Sequence, residues 1–463
     1  MTVPASGAAS GPAPGRVRSS PLRPCARARY RARPGGFGTG PNAAPPRPHR
    51  AATETSPVTE QLLTQNVPVL VDHTPGSRTT TVCVAVGSGA RHDPEGVAGA
   101  THMLEHLVMS CPLDGGPSLS ERVERLGGTC NALTSPELLV IHAQVLNEDA
   151  PEVIGWIGAS LLRPELTAAH LDRERQVVLQ ELSAAASDPA DAVQDAFLAR
   201  LFDGHPLGSP VGGDPESIAR ITVDVMRDAH RQALAGAPVA VSAVGGLPAT
   251  ELLAALDKAG IGALPAAAPL GARPPQTPPP VRTGIPERWP DEFCWLQAGS
   301  RAPHLGDPRR HAYNVLGHLM GSSPASLLYA RIRNDEALAY SFQSWSRSYS
   351  DTGAWRMLAG AEPANAPRVL EAFRSLLAEI ASDGPGEEAF SAAVRQAVVE
   401  VVLRAESQQE AAIALAVDRA LAAEVTLPEQ EIEALGRVTA AEVAAAAADV
   451  ARELVAVVRP EAA

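Results

Sequence analysis

The run Gly99-Ala-Thr-His102-Met-Leu-Glu105-His106-Leu107 puts two imidazoles and a carboxylate within five residues. On a helix, His102 and His106 stand one turn apart on the same face. Both can then close on a single zinc ion from one side. Glu105 follows His102 by three residues and falls on nearly the same face, close enough to take a proton from a water held there. A catalytic zinc site as a rule has three protein ligands and leaves one position for water, so the run needs a third donor. Further on, Leu171-Asp-Arg-Glu174-Arg-Gln-Val-Val-Leu-Gln-Glu181-Leu-Ser183 reads as a helix. Glu174 and Glu181 lie two turns apart on one of its faces, and Val177, Val178 and Leu182 supply an apolar side. Glu181 comes 75 residues after His106.

His-x-x-Glu-His reverses the order found in His-Glu-x-x-His zinc proteases. Followed at this distance by Arg-Glu-x-x-Val-x-x-x-Glu, it resembles the insulinase/pitrilysin family of zinc metallopeptidases, which includes the mitochondrial processing peptidases and many bacterial single-chain homologues. The resemblance runs through nearly the whole chain from about residue 60. Val86-Gly-Ser-Gly-Ala-Arg-His-Asp-Pro-Glu-Gly96 is similar to the family segment before the metal helix. Gly127-Gly-Thr-Cys-Asn131-Ala132-Leu-Thr-Ser-Pro-Glu137 resembles the family strand GG-x-x-NA-[FY]-TS-x-E. Gly204 to Ile218 resembles the segment after the ligand helix, and Arg333-Asn-Asp-Glu-Ala-Leu-Ala-Tyr340-Ser resembles the signature R-x-x-x-x-L-[AG]-Y-S of the C-terminal half.

The resemblance implies an α+β chain of two homologous domains, each an antiparallel sheet packed with helices, forming half of a clamshell chamber. It implies Zn2+ on His102, His106 and Glu181, with Glu105 as general base and Glu174 orienting ligands or water from behind. Asn131 and Ala132 would lie on a sheet edge to which a substrate peptide adds as a strand. The next position is usually aromatic in the family and is Leu133 here, which alters the expected pocket beside the scissile bond. Arg333 and Tyr340 would reach a zinc site from the C-terminal half and stabilise the oxyanion. The implied activity is zinc-dependent endopeptidase action on unfolded peptides or presequences. The alternatives are a dedicated leader-peptide maturation protease and a non-catalytic structural subunit. A full chamber has four such domains and this chain supplies two, so a homodimer is expected, with a heterodimer as the other arrangement.

Composition narrows the partners. The formal charge is −13; the first 50 residues hold nine arginines and no acid, which leaves −22 on the remainder. An acidic body argues against nucleic acid and anionic membranes, and no apolar run approaches the roughly 20 residues of a membrane span. The Pro-, Gly-, Ala- and Arg-rich start, residues 1–58, reads as a disordered tail, with a transit peptide or an over-long start as alternatives. Five scattered cysteines without a C-x-x-C pair read as free thiols in a reducing compartment, hence a cytoplasmic protein. His92, His142 and His205 lack ligand spacing and read as structural.

The elements that must position these groups follow from pattern. Val67–Val71 and Thr79–Val86 read as strands, the metal helix comes next, then one strand from Asn131 to Val145. Helical patterns cover 151–200 and 214–235, before a strand at Val239–Val244. We expect domains at 59–262 and 286–463, joined by a Pro-rich linker at 263–285. The second half repeats the order: a strand near Phe293–Gly299, a helix near Arg309–Leu319, strands near Leu338–Trp345 and Gly353–Ala361, then helices to Leu435 and over 439–453.

Overall fold

The computed structural model describes residues 59–321 and 323–461; the tail assigned to 1–58 lies outside them. The first half runs β1 (Thr59–Thr64), β2 (Val67–His73), β3 (Thr79–Val86), α1 (Ala100–Ser110), α2 (Leu119–Arg125), β4 (Thr129–Thr134) and β5 (Leu139–Leu146). It continues through α3 (Ala150–Leu162), α4 (Ala168–Ala186), α5 (Pro189–Leu201), α6 (Pro215–Arg220), α7 (Val223–Gly236), β6 (Val239–Gly245) and α8 (Ala249–Ala259). The second half runs β7 (Cys294–Ala302), α9 (Arg310–Met320), β8 (Ala339–Ser348), β9 (Gly353–Ala361) and α10 (Ala366–Asp383). It closes with α11 (Glu387–Glu406), α12 (Gln408–Leu421), α13 (Pro428–Arg437), α14 (Ala440–Arg452) and β10 (Val455–Arg459).

The chain is an α+β protein with two sheets, ordered β1-β2-β6-β3-β5-β4 and β10-β7-β9-β8. The set β6-β3-β5-β4 repeats in the second sheet with equivalent strands in equivalent places, so β4 and β8 are matching edges and α1 and α9 matching helices. The second sheet is antiparallel throughout, but β2 pairs with β6 in parallel. The first sheet is therefore mixed rather than wholly antiparallel, because β6 enters the sheet between β2 and β3 only after a long helical excursion. The expected single strand from Asn131 to Val145 is instead a hairpin, β4 and β5. It breaks where Ser135 Oγ accepts from Glu137 N and Leu138 N and Ser135 N donates to Leu138 O.

Alternation along β3 divides the core. Val82, Val84 and Val86 face α1 and α3, while Cys83 and Ala85 face the other way, into a cluster with Leu415, Ala416 and Ala420 of α12. A helix of the second half thus covers the sheet of the first. The exchange is reciprocal: Phe197 and Leu201 of α5 pack with Ala354 of β9 and Val455 of β10. Small residues let α12 approach closely enough for Ser242 Oγ to donate to Ala412 O. The Pro-rich stretch is tied down at several points. Leu270 is buried, Gln276 N donates to Asp351 Oδ2, and Gly284 exchanges main-chain hydrogen bonds with Leu454 and Ala456.

A buried ionic knot also joins the halves. Arg91 donates to Glu137 Oε1 (2.9 Å) and to Asp351 Oδ2 (2.7 Å), and all three side chains are at most 8% exposed. Ser350 N donates to both Glu137 carboxylate oxygens. Burial works to raise the Asp351 pKa, but the Arg91 guanidinium outweighs it and holds the carboxyl below its ordinary value of 3.8. Arg91→Ala leaves two buried carboxylates without their cation and should cost about 3–5 kcal/mol in urea denaturation. Because the folded-state pKa is depressed, this stabilisation is full above the ordinary carboxylate range and fades as pH falls through the folded value. The gap between wild type and Arg91→Ala should narrow in acid. A cost under about 1 kcal/mol at neutral pH would show that the knot contributes little.

Candidate metal centre

Helix α1 is aimed by its start. Gly99 precedes it at φ +87°, and a Cβ there would meet Gly212 O at 2.5 Å. Gly213, at φ +75°, comes equally close to Ala98 O. Two backbones therefore touch where the segment between α5 and α6 crosses the start of α1, and Ser217 Oγ donates to Ala98 O (2.8 Å). In place of an N-cap side chain, Asp93 accepts from Gly99 N (2.7 Å) and Thr101 N (2.9 Å). Met103, Leu104 and Leu107 are buried in the core, which leaves His102, Glu105 and His106 half-buried on the opposite side.

Helix α4 lies alongside and brings both glutamates to this face. His102 Nε2 and His106 Nε2 are 3.3 Å apart, and Glu181 Oε2 lies 3.8 Å from the first and 3.4 Å from the second. These three side chains form the one group able to hold a metal among the described residues, their ligand atoms within 4.8 Å of one another. Glu174 stands behind, with Oε2 3.4 Å from His106 Nδ1. Val178 is buried as expected, but Val177 is 39% exposed: the apolar side of α4 is narrower than its pattern suggested because the carboxylate face takes up part of the helix surface.

Electrostatics suit a cation. Burial, then the neighbouring His106, lowers the His102 pKa to about 4, so at neutral pH its imidazole is uncharged and has a lone pair to offer. His106 is pushed down by burial, but Glu174, Glu181 and Glu105 outweigh this and raise it. Glu174 is held below its ordinary range because hydrogen bonds from His106 and Ser110 outweigh burial. His102 Nδ1 is buried without a hydrogen-bond partner. Two imidazole nitrogens and a carboxylate oxygen converging in half-buried ground form a zinc donor set, so these residues fit the ion.

Glu105 has a partner that motif spacing did not reveal. Thr134 Oγ1, at the end of β4, donates to Glu105 Oε2 at 2.6 Å. Burial raises the Glu105 pKa, partly countered by Thr134. Thr134 sits in the same segment as Asn131 and Ala132, but its contact with α1 crosses 29 residues and shows only in the fold. Asn131 (exposed) and Ala132 (buried) lie on β4, the outer strand of the first sheet, packed beside α1. Leu133 is 37% exposed on the same strand.

Arg333 and Tyr340 lie together elsewhere. The Arg333 guanidinium stands 5.0 Å from the Tyr329 ring centre and 5.9 Å from that of Tyr340. Tyr340 is the extra residue of a bulge between Ala339 and Ser341 on edge strand β8, and is 77% exposed. No hydrogen bond or ion pair joins this couple to the zinc ligands among the described residues. Between α9 and α11, the helix pair of the second half that matches α1 and α4, the one ion pair among the described residues is His318–Glu400 (3.3 Å). Of the other histidines, His92 Nδ1 accepts from Gly89 N and His205 Nδ1 from Leu207 N, both within backbone turns. Cys83, Cys111, Cys130 and Cys294 are free, and Cys25 lies outside the described residues.

The profile of Insulinase (Peptidase family M16) matches residues 68–215, and that of the Peptidase M16 inactive domain matches residues 220–397. An uncharacterized zinc protease of Mycobacterium tuberculosis is 30% identical over 322 residues, 68% of this chain and 73% of the relative. The chain belongs to the insulinase family, peptidase family M16. Within the family, it is 28% identical to a probable mitochondrial-processing peptidase subunit beta of Schizosaccharomyces pombe over 333 residues, 66% of this chain and 70% of that one. A crystal structure of a protease from Helicobacter pylori shares the fold at TM-score 0.78 and 18% identity, covering 87% of this chain and 99% of that one. No described helix of this insulinase-family chain is long and apolar enough to cross a membrane.

The metal assignment has a direct check. The purified chain should take up about one zinc in equilibrium dialysis with elemental analysis. His102→Ala should abolish uptake. Glu174→Gln, which leaves the three ligands in place and alters the partner of His106 Nδ1, should weaken affinity by about 10- to 100-fold. Full zinc retention by His102→Ala would remove this site from consideration.

Proposed function

We propose that the chain is a zinc-dependent endopeptidase that cuts unfolded peptides added as a strand to the β4 edge, with residues 59–262 and 286–463 as two homologous domains joined by 263–285. The observation that carries this reading is the convergence of His102, His106 and Glu181 beside a general base whose orienting hydroxyl belongs to that edge strand. Zinc held by the three residues supplies a Lewis acid that polarises a carbonyl and lowers the pKa of a water toward about 7. Glu105, kept in place by Thr134, takes the proton of the attacking water and delivers it to the leaving amine. Glu174 fixes the His106 ring through Nδ1. Asn131 and Ala132 align the substrate backbone, so that main-chain pairing rather than side-chain identity governs binding.

Arg333 and Tyr340 stabilise the developing oxyanion. They stay apart from the ligand cluster of their own chain, which supports a dimer in which each chain lends this couple to the zinc of its partner. One chain carries both the zinc residues and the Arg/Tyr couple, which favours two equivalent sites in a homodimer. The match of residues 220–397 to an inactive domain accords with a second half that positions and completes the site without a ligand set of its own.

Two outcomes are expected. Glu105→Gln should keep its zinc and lose nearly all cleavage of unstructured peptides, measured by mass spectrometry of a peptide-library digest; wild-type turnover by this variant would refute the assigned base. Mixing Glu105→Gln with Tyr340→Phe chains, each nearly inactive alone, should restore activity, because one mixed site has both an intact zinc set and an intact Tyr340. Activity that stays at the level of the separate variants would refute the shared site.

A further inference from the structure

A cavity of about 720 Å³ lies apart from the zinc ligands, walled by α9, α11, α12, α13, the 304–308 loop and Asp72 at the end of β2. That volume is in the range of small-molecule sites. One wall is apolar, formed by Ala397, Val401, Ala411, Leu415 and Leu421. The polar lining is lopsided: seven carboxylates face two arginines, Arg310 and Arg404. An acidic lining alone identifies nothing, because several of these groups have partners. Glu431 accepts from Arg310 at 3.0 and 2.6 Å and lies 3.2 Å from His311, and Glu400 is paired with His318.

Apart from the Arg404 guanidinium, the groups left over are acceptors. Asp72 Oδ1 and Asn314 Oδ1 are buried without a hydrogen-bond partner. The Asp418 carboxyl, on a partly buried residue, feels Arg404, Arg310 and Glu431 only through space. Burial pushes its pKa up to about 6, against the pull of the arginines. Buried acceptors without donors cost free energy that a ligand bearing N–H groups recovers, most of all a charged one. The apolar wall beside them asks for a hydrocarbon body on the same molecule.

We propose that this cavity is a second binding site, for an organic cation in which a guanidinium or ammonium group pairs with Asp418 and an apolar body lies along Val401, Ala411 and Leu415. Asn314 and Asp72 offer further acceptors on the walls. The same chemistry occurs in a free small amine or guanidine and in the basic side chain of a bound peptide.

Calorimetry on the full chain tests this with n-butylguanidinium as the probe and n-butylurea as its neutral counterpart. Saturable binding of the guanidinium is expected, at least about tenfold tighter than the urea. Asp418→Asn should remove about tenfold or more of that affinity while leaving zinc content unchanged. Leu415→Trp, which fills the cavity, should abolish binding and serves as the second variant. In the Glu105→Gln background, displacement of the probe by an arginine-containing peptide and not by its citrulline analogue assigns the site to a peptide side chain. Displacement by neither assigns it to a free small cation. Equal binding of guanidinium and urea, equal displacement by both peptides, or wild-type binding by both variants overturns the proposal.

Discussion

Two imidazole nitrogens 3.3 Å apart, with a carboxylate oxygen within 4 Å of each, are an arrangement that a chain adopts at a cost unless a cation is to sit among them. The rest of the first half can be understood as what holds it. The start of α1 is fixed by two glycine-mediated backbone contacts and by Asp93, and its buried face is locked into the core. Helix α4 carries Glu174 and Glu181 two turns apart, so one glutamate faces the metal position and the other supports His106 from behind. The geometry fixes the tautomer as well: with Glu174 on Nδ1 of His106, Nε2 is the atom left for the metal.

That arrangement would be of little use if the two halves moved independently. Exchange of α5 and α12 between the sheets, together with the Arg91–Glu137–Asp351 knot, makes the packing of each sheet depend on the other half. The two edges, β4 beside α1 and β8 with Tyr340 at its bulge, then belong to one compact unit. The matching topology of the sheets also shows how one architecture serves two roles. The helix pair α1 and α4 brings three candidate ligands to one point, whereas among the described residues α9 and α11 are joined by one ion pair.

How far the sequence could be read depended on the range of the interactions involved. The metal helix, the glutamate spacing on α4 and the strands around them follow from short periodic patterns, which local physics imposes and a sequence displays. The turn that splits Asn131–Val145 carries a local mark, Thr134-Ser-Pro-Glu137 between Leu133 and Leu138, but one without a glycine and flanked by strand-like residues on both sides. The parallel β2–β6 pair, the crossing of α5 and α12, and β10 at only five residues are decided by long-range packing that leaves no local mark. Thr134 and Asp93 belong to the same class. Each residue type is common in strands or turns, and only the folded chain brings Thr134 to Glu105 or Asp93 to the start of α1.

The central claim is that one ion is bound by two imidazoles and one carboxylate. X-ray absorption at the zinc edge reads this ligand set directly. The account predicts a first shell of nitrogen and oxygen only, at about 2.0–2.2 Å, with outer-shell scattering from two imidazole rings. A zinc–sulfur distance near 2.3 Å, or outer-shell scattering from fewer than two imidazole rings, would contradict it.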